Sequence, residues 1–114
     1  MEKWLLTVES NCCDPSREKE FNDWYDNVHL TDILETPGFM RAVRYENTNP
    51  AEGQGKFIAM YEIETDDLAS TLAKFDEIVN ARAKQGRLSE LVAAVGGGLY
   101  RQVGSPVKKK GKKK

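Results

Sequence analysis

One histidine stands in this chain, His29, and it sits in a run of aromatic and acidic residues, Phe21-Asn22-Asp23-Trp24-Tyr25-Asp26-Asn27-Val28-His29-Leu30-Thr31-Asp32. An imidazole titrates close to neutral pH, so it takes up or releases a proton with little tuning. Phe21, Trp24, Tyr25, Val28 and Asp32 recur at the spacing of one helical face. His29 falls beside them, one helical turn after Tyr25 and just under one turn before Asp32. This pattern suits proton transfer. His29 would be the general base or acid, and Asp32 would hold the ring and stabilise its charged form. A tyrosine hydroxyl from Tyr25, Tyr45 or Tyr61 would donate to a developing oxyanion, and Arg41 or Arg44 would receive a substrate carboxylate. The plainer assignment makes His29 a helix cap or surface residue, Trp24 and Tyr25 core, and Asp32 the partner of a helix-end amide.

The spacing Phe21-x-x-Trp24-Tyr25-x-x-x-His29-x-x-Asp32, followed by Pro37-Gly38-Phe39 and Arg44-Tyr45, resembles the signature of the EthD-like proteins of the dimeric α+β barrel superfamily. It spans residues 21 to 45, and the rest of the chain agrees in length and element order. The resemblance implies a ferredoxin-like α+β fold with an antiparallel sheet, paired as a homodimer sheet against sheet. It also implies a ligand pocket between each sheet and its own helices, into which Trp24, Tyr25 and His29 point.

For function, the resemblance implies a small acid/base enzyme of isomerase, cyclase or lyase type, working without cofactor or metal. The substrate would be a hydrophobic aromatic, lactone or polyketide-like molecule. His29, Asp32 and Tyr25 are then the catalytic candidates, and Trp24, Arg44, Tyr45 and Tyr61 the substrate-binding ones. Such proteins include lactone isomerases, polyketide cyclases, cofactor-free monooxygenases and haem-degrading enzymes, so fold does not choose the reaction. A carrier in which His29 only makes a hydrogen bond is a competing class, and a haem protein with His29 as axial ligand is another.

These residues need elements to position them, and the chain reads as βαββαβ. Trp4 to Glu9 is a first strand, rich in apolar and β-branched residues. Asp14-Pro15-Ser16 opens a helix that runs to about Val28, continues with a kink to Leu34, and is broken by Pro37-Gly38. Phe39 to Glu46 is a second strand and Lys56 to Glu64 a third, with apolar residues on both faces and hence cover expected on both. Thr65-Asp66-Asp67-Leu68 caps a second long helix. Arg87 to Val95 reads as a further short helix with Leu88, Leu91 and Val92 inward. Gly96-Gly97-Gly98 reads as the turn that ends it, before a last strand, Leu99 to Val103. A sheet with helices on one face leaves the other bare; if that face carries Phe57 and Tyr61 it needs a partner, and either Tyr61 or Ile58 is expected to face the second copy.

Length and composition agree with one domain, residues 1–105, and a disordered lysine-rich tail, 106–114. The net charge of −1 conceals a segregation: six of the 17 basic residues lie in Lys108–Lys114, which leaves the body at −7. A body of that sign repels phosphate, and the tail has neither an aromatic to stack on a base nor an amphipathic period for a membrane. No nucleic-acid or membrane partner is therefore expected. No apolar run matches a membrane span or a signal peptide, which reads as cytoplasmic. Cys12 and Cys13 are adjacent, a spacing poorly suited to a disulfide or a zinc site, and read as reduced thiols.

Overall fold

The computed structural model describes residues 1–111; Lys112, Lys113 and Lys114 of the basic tail lie outside the described residues. Strand β1 (Glu2–Cys12) is followed by a 3₁₀ turn (Pro15–Arg17), helix α1 (Glu18–Trp24), a π-helical turn (Tyr25–His29) and helix α2 (Leu30–Ile33). Strands β2 (Phe39–Glu46) and β3 (Phe57–Thr65), helix α3 (Leu68–Lys84) and strand β4 (Val92–Arg101) complete the chain. The four strands form one antiparallel sheet in the order β2-β3-β1-β4. This is the expected ferredoxin-like βαββαβ arrangement.

Local chemistry sets the helix starts where the caps are. The Asp14 carboxylate accepts from the Ser16 amide at 3.0 Å and Asp67 accepts from the Ser70 amide at 3.1 Å, satisfying amides that have no intrahelical partner. Gly86, at φ +73°, turns the chain out of α3 where a side chain would be strained.

Strand parity then divides the sheet. Phe57, Ala59, Tyr61 and Ile63 of β3 are buried against the helices, packing with Phe21, Tyr25 and Ile33 and with Phe75, Ile78 and Val79 of α3. Leu5, Val43, Tyr45, Ile58, Met60 and Tyr100 share the opposite face through their cross-strand pairings. One expectation changes here and one open choice is decided. β3 is covered on one face only within a single chain, and the bare face belongs to Ile58 and Met60, not to Phe57 and Tyr61. Two apolar residue sets alternate along β3, so sequence alone could not say which one met the helices.

The expected helix over Arg87–Val95 is also corrected. Residues 87 to 91 form an irregular turn, and β4 begins at Val92, paired with Cys12. Leu88, Leu91 and Val92 mimic a helical face, but β1 extends to Cys12 and its free edge draws the segment into a ladder. The glycine run lies inside that strand and is not a turn. Val95 is the bulged residue, because Glu9 faces Gly96 while Ser10 faces Ala94. Gly97 sits at φ +150°, and a Cβ there would lie 2.2 Å from the Thr7 carbonyl oxygen. Only glycine lets β4 approach β1 this closely. Residues 102 to 111 are exposed and carry no regular structure. No helix of the described residues is long and apolar enough to cross a membrane.

Candidate active site

The site is built around a change of helical pitch. Over Tyr25–His29 the backbone takes π spacing, with the Leu30 amide bonded to the Tyr25 carbonyl. One extra residue in a turn sets back every side chain that follows, a device found often at functional sites. Here Asp32 and Ile33 become buried along with Phe21 and Tyr25, while Val28 is left half-buried. His29 is brought against the aromatic cluster. Its ring stacks on Trp24 at 4.7 Å and 21°, and meets Tyr25 edge-on at 5.0 Å. The Trp24 indole is itself fixed, donating from Nε1 to the Arg87 carbonyl at 2.8 Å.

Around Tyr25 lies a buried polar group. Tyr25 and Tyr61 are 2% and 1% exposed, each phenol influences the other, and Ser10 of β1 acts on that of Tyr25. The Arg44 guanidinium carbon sits 4.2 Å from the Tyr25 ring centroid and 5.2 Å from that of Phe57. Its side chain is 10% exposed. Arg44 donates to Asp26 and Asn22, each at 2.9 Å, while its Nε has no partner among the described residues.

Electrostatics follow from burial. Desolvation pushes the His29 pKa down from 6.5 to about 4; Asp32 opposes this and Arg44 reinforces it. His29 is therefore an uncharged imidazole at neutral pH. Burial raises the Tyr25 and Tyr61 pKa values, so both phenols remain protonated hydrogen-bond donors. Asp32 is held below the ordinary carboxylate range, first by its hydrogen bonds from Arg87, against the cost of burial.

The histidine shift fixes a pH dependence of stability. A folded-state pKa below the unfolded value means that the unfolded chain binds the proton first. Stability is then lost as pH falls from 6.5 towards about 4. The loss from this one group is expected to reach ~3 kcal/mol at the acid end. Urea midpoints measured across that window check it, and His29→Ala should flatten the slope.

The structure gathers Trp24, Tyr25, His29, Arg44 and Tyr61 on the helix-facing side of the sheet. Tyr45 stands on the other face. It meets Arg44 only at the open edge of β2, where both line a recess of about 350 Å³ with Asn22, Asp26, Glu46 and Phe57. Arg41 is also on the other face, paired with Glu62 at 2.6 Å. Asp32 is adjacent to His29 but committed elsewhere, accepting from Arg87 Nε at 2.8 Å and Arg87 Nη2 at 2.9 Å. No hydrogen bond joins it to the imidazole among the described residues.

Sequence reasoning missed Ser10, Arg82 and Arg87. Ser10 carried a signal, being polar at an inward position in phase with Trp4, Leu6 and Val8. Arg87 carried none, since its partner is 55 residues away. Cys12 is partly buried beside the core and Cys13 is exposed; both are free thiols. Among the described residues no cluster of His, Cys, Asp and Glu is placed to hold a metal ion.

No family model matches the chain. In sequence it is similar to core atranone cluster (CAC) protein 1 of Stachybotrys chlorohalonatus, 42% identical over 66 residues. That match covers 57% of this chain but 27% of the relative's length. In structure it is similar to a dimeric ferredoxin-like protein from an uncultured marine organism (TM-score 0.64, 11% identity, 93% of this chain and 100% of that one). It is also similar to an EthD family protein of Bacillus halodurans (TM-score 0.52, 18% identity, 90% of this chain and 100% of that one). Identities this low establish fold. The chain has a ferredoxin-like α+β fold with a four-stranded antiparallel sheet, as these solved structures do.

Proposed function

We propose that this chain is a cofactor-independent acid/base enzyme acting on a small hydrophobic substrate with an enolisable or lactone carbonyl. The observation that carries the reading is the uncharged imidazole of His29, stacked on Trp24 and set against a buried Tyr25–Tyr61–Arg44 group. A neutral imidazole accepts a proton without first having to lose one. Removing a proton next to a carbonyl puts charge on the oxygen. Two protonated phenols and a guanidinium form the environment that stabilises such an enolate. The aromatic walls fit a flat, apolar substrate. The relative named for an atranone cluster adds weight to a small-molecule substrate.

One observation favours a second reading, a non-catalytic binder of the same molecules. A pKa of about 4 makes His29 a weak base, below the range that suits proton transfer near neutrality. A single experiment separates the two. Aromatic, lactone and 1,3-dicarbonyl compounds are screened by thermal shift, since selective binding to the folded state raises its apparent stability. Ligands found this way are then incubated with the protein in D₂O. Enzyme-dependent deuterium uptake next to the carbonyl supports the enzyme, and binding without exchange supports the carrier.

The same proposal includes a homodimer. Ile58, Met60, Val43 and Leu5 are only half-buried on the open sheet face of one chain, beside the exposed Tyr45 and Tyr100, and burying such a face on a second copy removes it from water. Sedimentation at micromolar concentration is expected to give twice the 12.9 kDa chain mass. Ile58→Asp should shift it to the monomer, whereas a parent that sediments at 12.9 kDa removes the dimer.

A further inference from the structure

Residues 85 to 91 connect α3 to β4 with no regular structure, yet they are tied down at several points. The Arg87 amide donates to the Arg82 carbonyl at 2.9 Å, and its carbonyl accepts from Trp24 Nε1 at 2.8 Å. Its guanidinium forks onto both oxygens of Asp32 at 2.8 and 2.9 Å. Glu90 reaches Arg17 at 3.3 Å, and the Leu91 carbonyl accepts from the Cys13 amide at 2.7 Å. Arg87 thus fixes both the indole on which His29 stacks and the carboxylate next to His29 on the helix. Asp32 is 4% exposed, and a buried carboxylate seeks its strongest available partner. Without Arg87, the cations left to it are Arg82, with Nε at 3.6 Å, and protonated His29.

We infer that Arg87 is the positioning residue of this site: by forking onto both oxygens of Asp32 and holding the Trp24 indole, it keeps the carboxylate from closing onto His29 as a histidine–aspartate ion pair. This rests on the acid/base reading and deepens it by naming what keeps the neighbouring carboxylate off its central residue. The groups facing His29 are Asp32 from its own helical segment, Tyr25 and Trp24 from the preceding turns, and Arg44 from β2. Of these, Asp32 alone pulls a proton onto the ring, against burial and Arg44, and Arg87 holds that carboxylate in its fork. A fork geometry matters, because guanidinium engages both carboxylate oxygens where an ammonium engages one.

His29 is the only histidine in the chain, so its ring signals in a ¹H–¹³C NMR titration are unambiguous. In the full-length parent the folded protein is expected to show no imidazole protonation above pH ~5. Arg87→Gln should raise the midpoint by roughly one unit or more, the scale of an unmasked neighbouring carboxylate. Arg87→Lys should fall between the two.

A merely structural role would also raise the midpoint, by exposing His29 to water. The double variant Arg87→Gln with Asp32→Asn distinguishes the causes and leaves no uncompensated buried charge if the single variant folds poorly. A carboxylate-holding role returns the double variant to the parent's low midpoint, while exposure leaves it high. An unchanged midpoint in Arg87→Gln, or a double variant as high as the single one, overturns the inference. The titration needs no turnover, so a protein that proves to be a carrier leaves this result intact, and the converse holds too.

Discussion

Replacing His29 by alanine is expected to slow substrate deuterium exchange by a factor of roughly 10²–10⁴, the usual range for loss of a positioned acid or base. The imidazole lies over the Trp24 ring and is only partly buried, so its removal leaves the core residues Phe21, Tyr25 and Ile33 packed as before. The melting temperature at neutral pH should therefore stay close to that of the parent, and below pH 6.5 the variant should resist acid better. In the parent, the exchange rate is expected to hold from pH 8 down to pH 5, and to drop only as the imidazole protonates near 4. A rate that instead falls through 6.5 would mean that His29 is not desolvated in the working protein. Tyr25→Phe keeps the ring that supports both His29 and Arg44 and removes the hydroxyl alone. Its loss should be smaller, and it reads the oxyanion role directly. If His29→Ala unfolds the chain at neutral pH, the residue is structural.

The second large effect is expected far from the chemistry, at Gly97. An alanine there would place its Cβ 2.2 Å from the Thr7 carbonyl oxygen, in a backbone conformation of φ +150° that L side chains rarely adopt. β1 is the central strand, bonded to β3 on one side and β4 on the other, so neither partner can move aside without breaking ladder hydrogen bonds. Gly97→Ala is expected to destabilise the fold by at least about 3 kcal/mol, through backbone strain and steric overlap together. Urea unfolding measures it. Gly53→Ala makes a control, because Gly53 also has positive φ (+83°) but its Cβ would meet nothing within 4 Å. Equal losses at the two positions would show that conformation matters and the close approach of the strands does not.

Much of the architecture was legible in the residues because the signals were local. Caps at Asp14 and Asp67, the Pro37-Gly38 break and the apolar strands carry their own physics within a few residues, and the element order follows from them. The glycine run was not legible in the same way. Three glycines read as a turn when seen alone, and they became strand only because β1 presented an unsatisfied edge for them to pair with. A ladder is a long-range interaction, and neither of its strands contains the information separately.

The site divides along the same line. The sequence by itself determined that Tyr25 and His29 lie one helical turn apart on one face, because helical periodicity sets which side chains lie together, whereas the π turn brought Trp24 against the ring. The sequence also determined that a carboxylate lies within one turn of the imidazole. The tertiary structure decided what that carboxylate does. Asp32 turns to Arg87, from a loop 55 residues further on, and the histidine it was expected to charge is left neutral by burial. Strand parity had left Arg44 and Tyr45 equal claimants. Packing chose Arg44 for the helix side and sent Tyr45 to the opposite face, because adjacent residues of a strand point to opposite faces and only one can meet the helices. Proton affinity depends on solvent exclusion and on charges brought close from distant parts of the chain, so the state of His29 is a property of the fold.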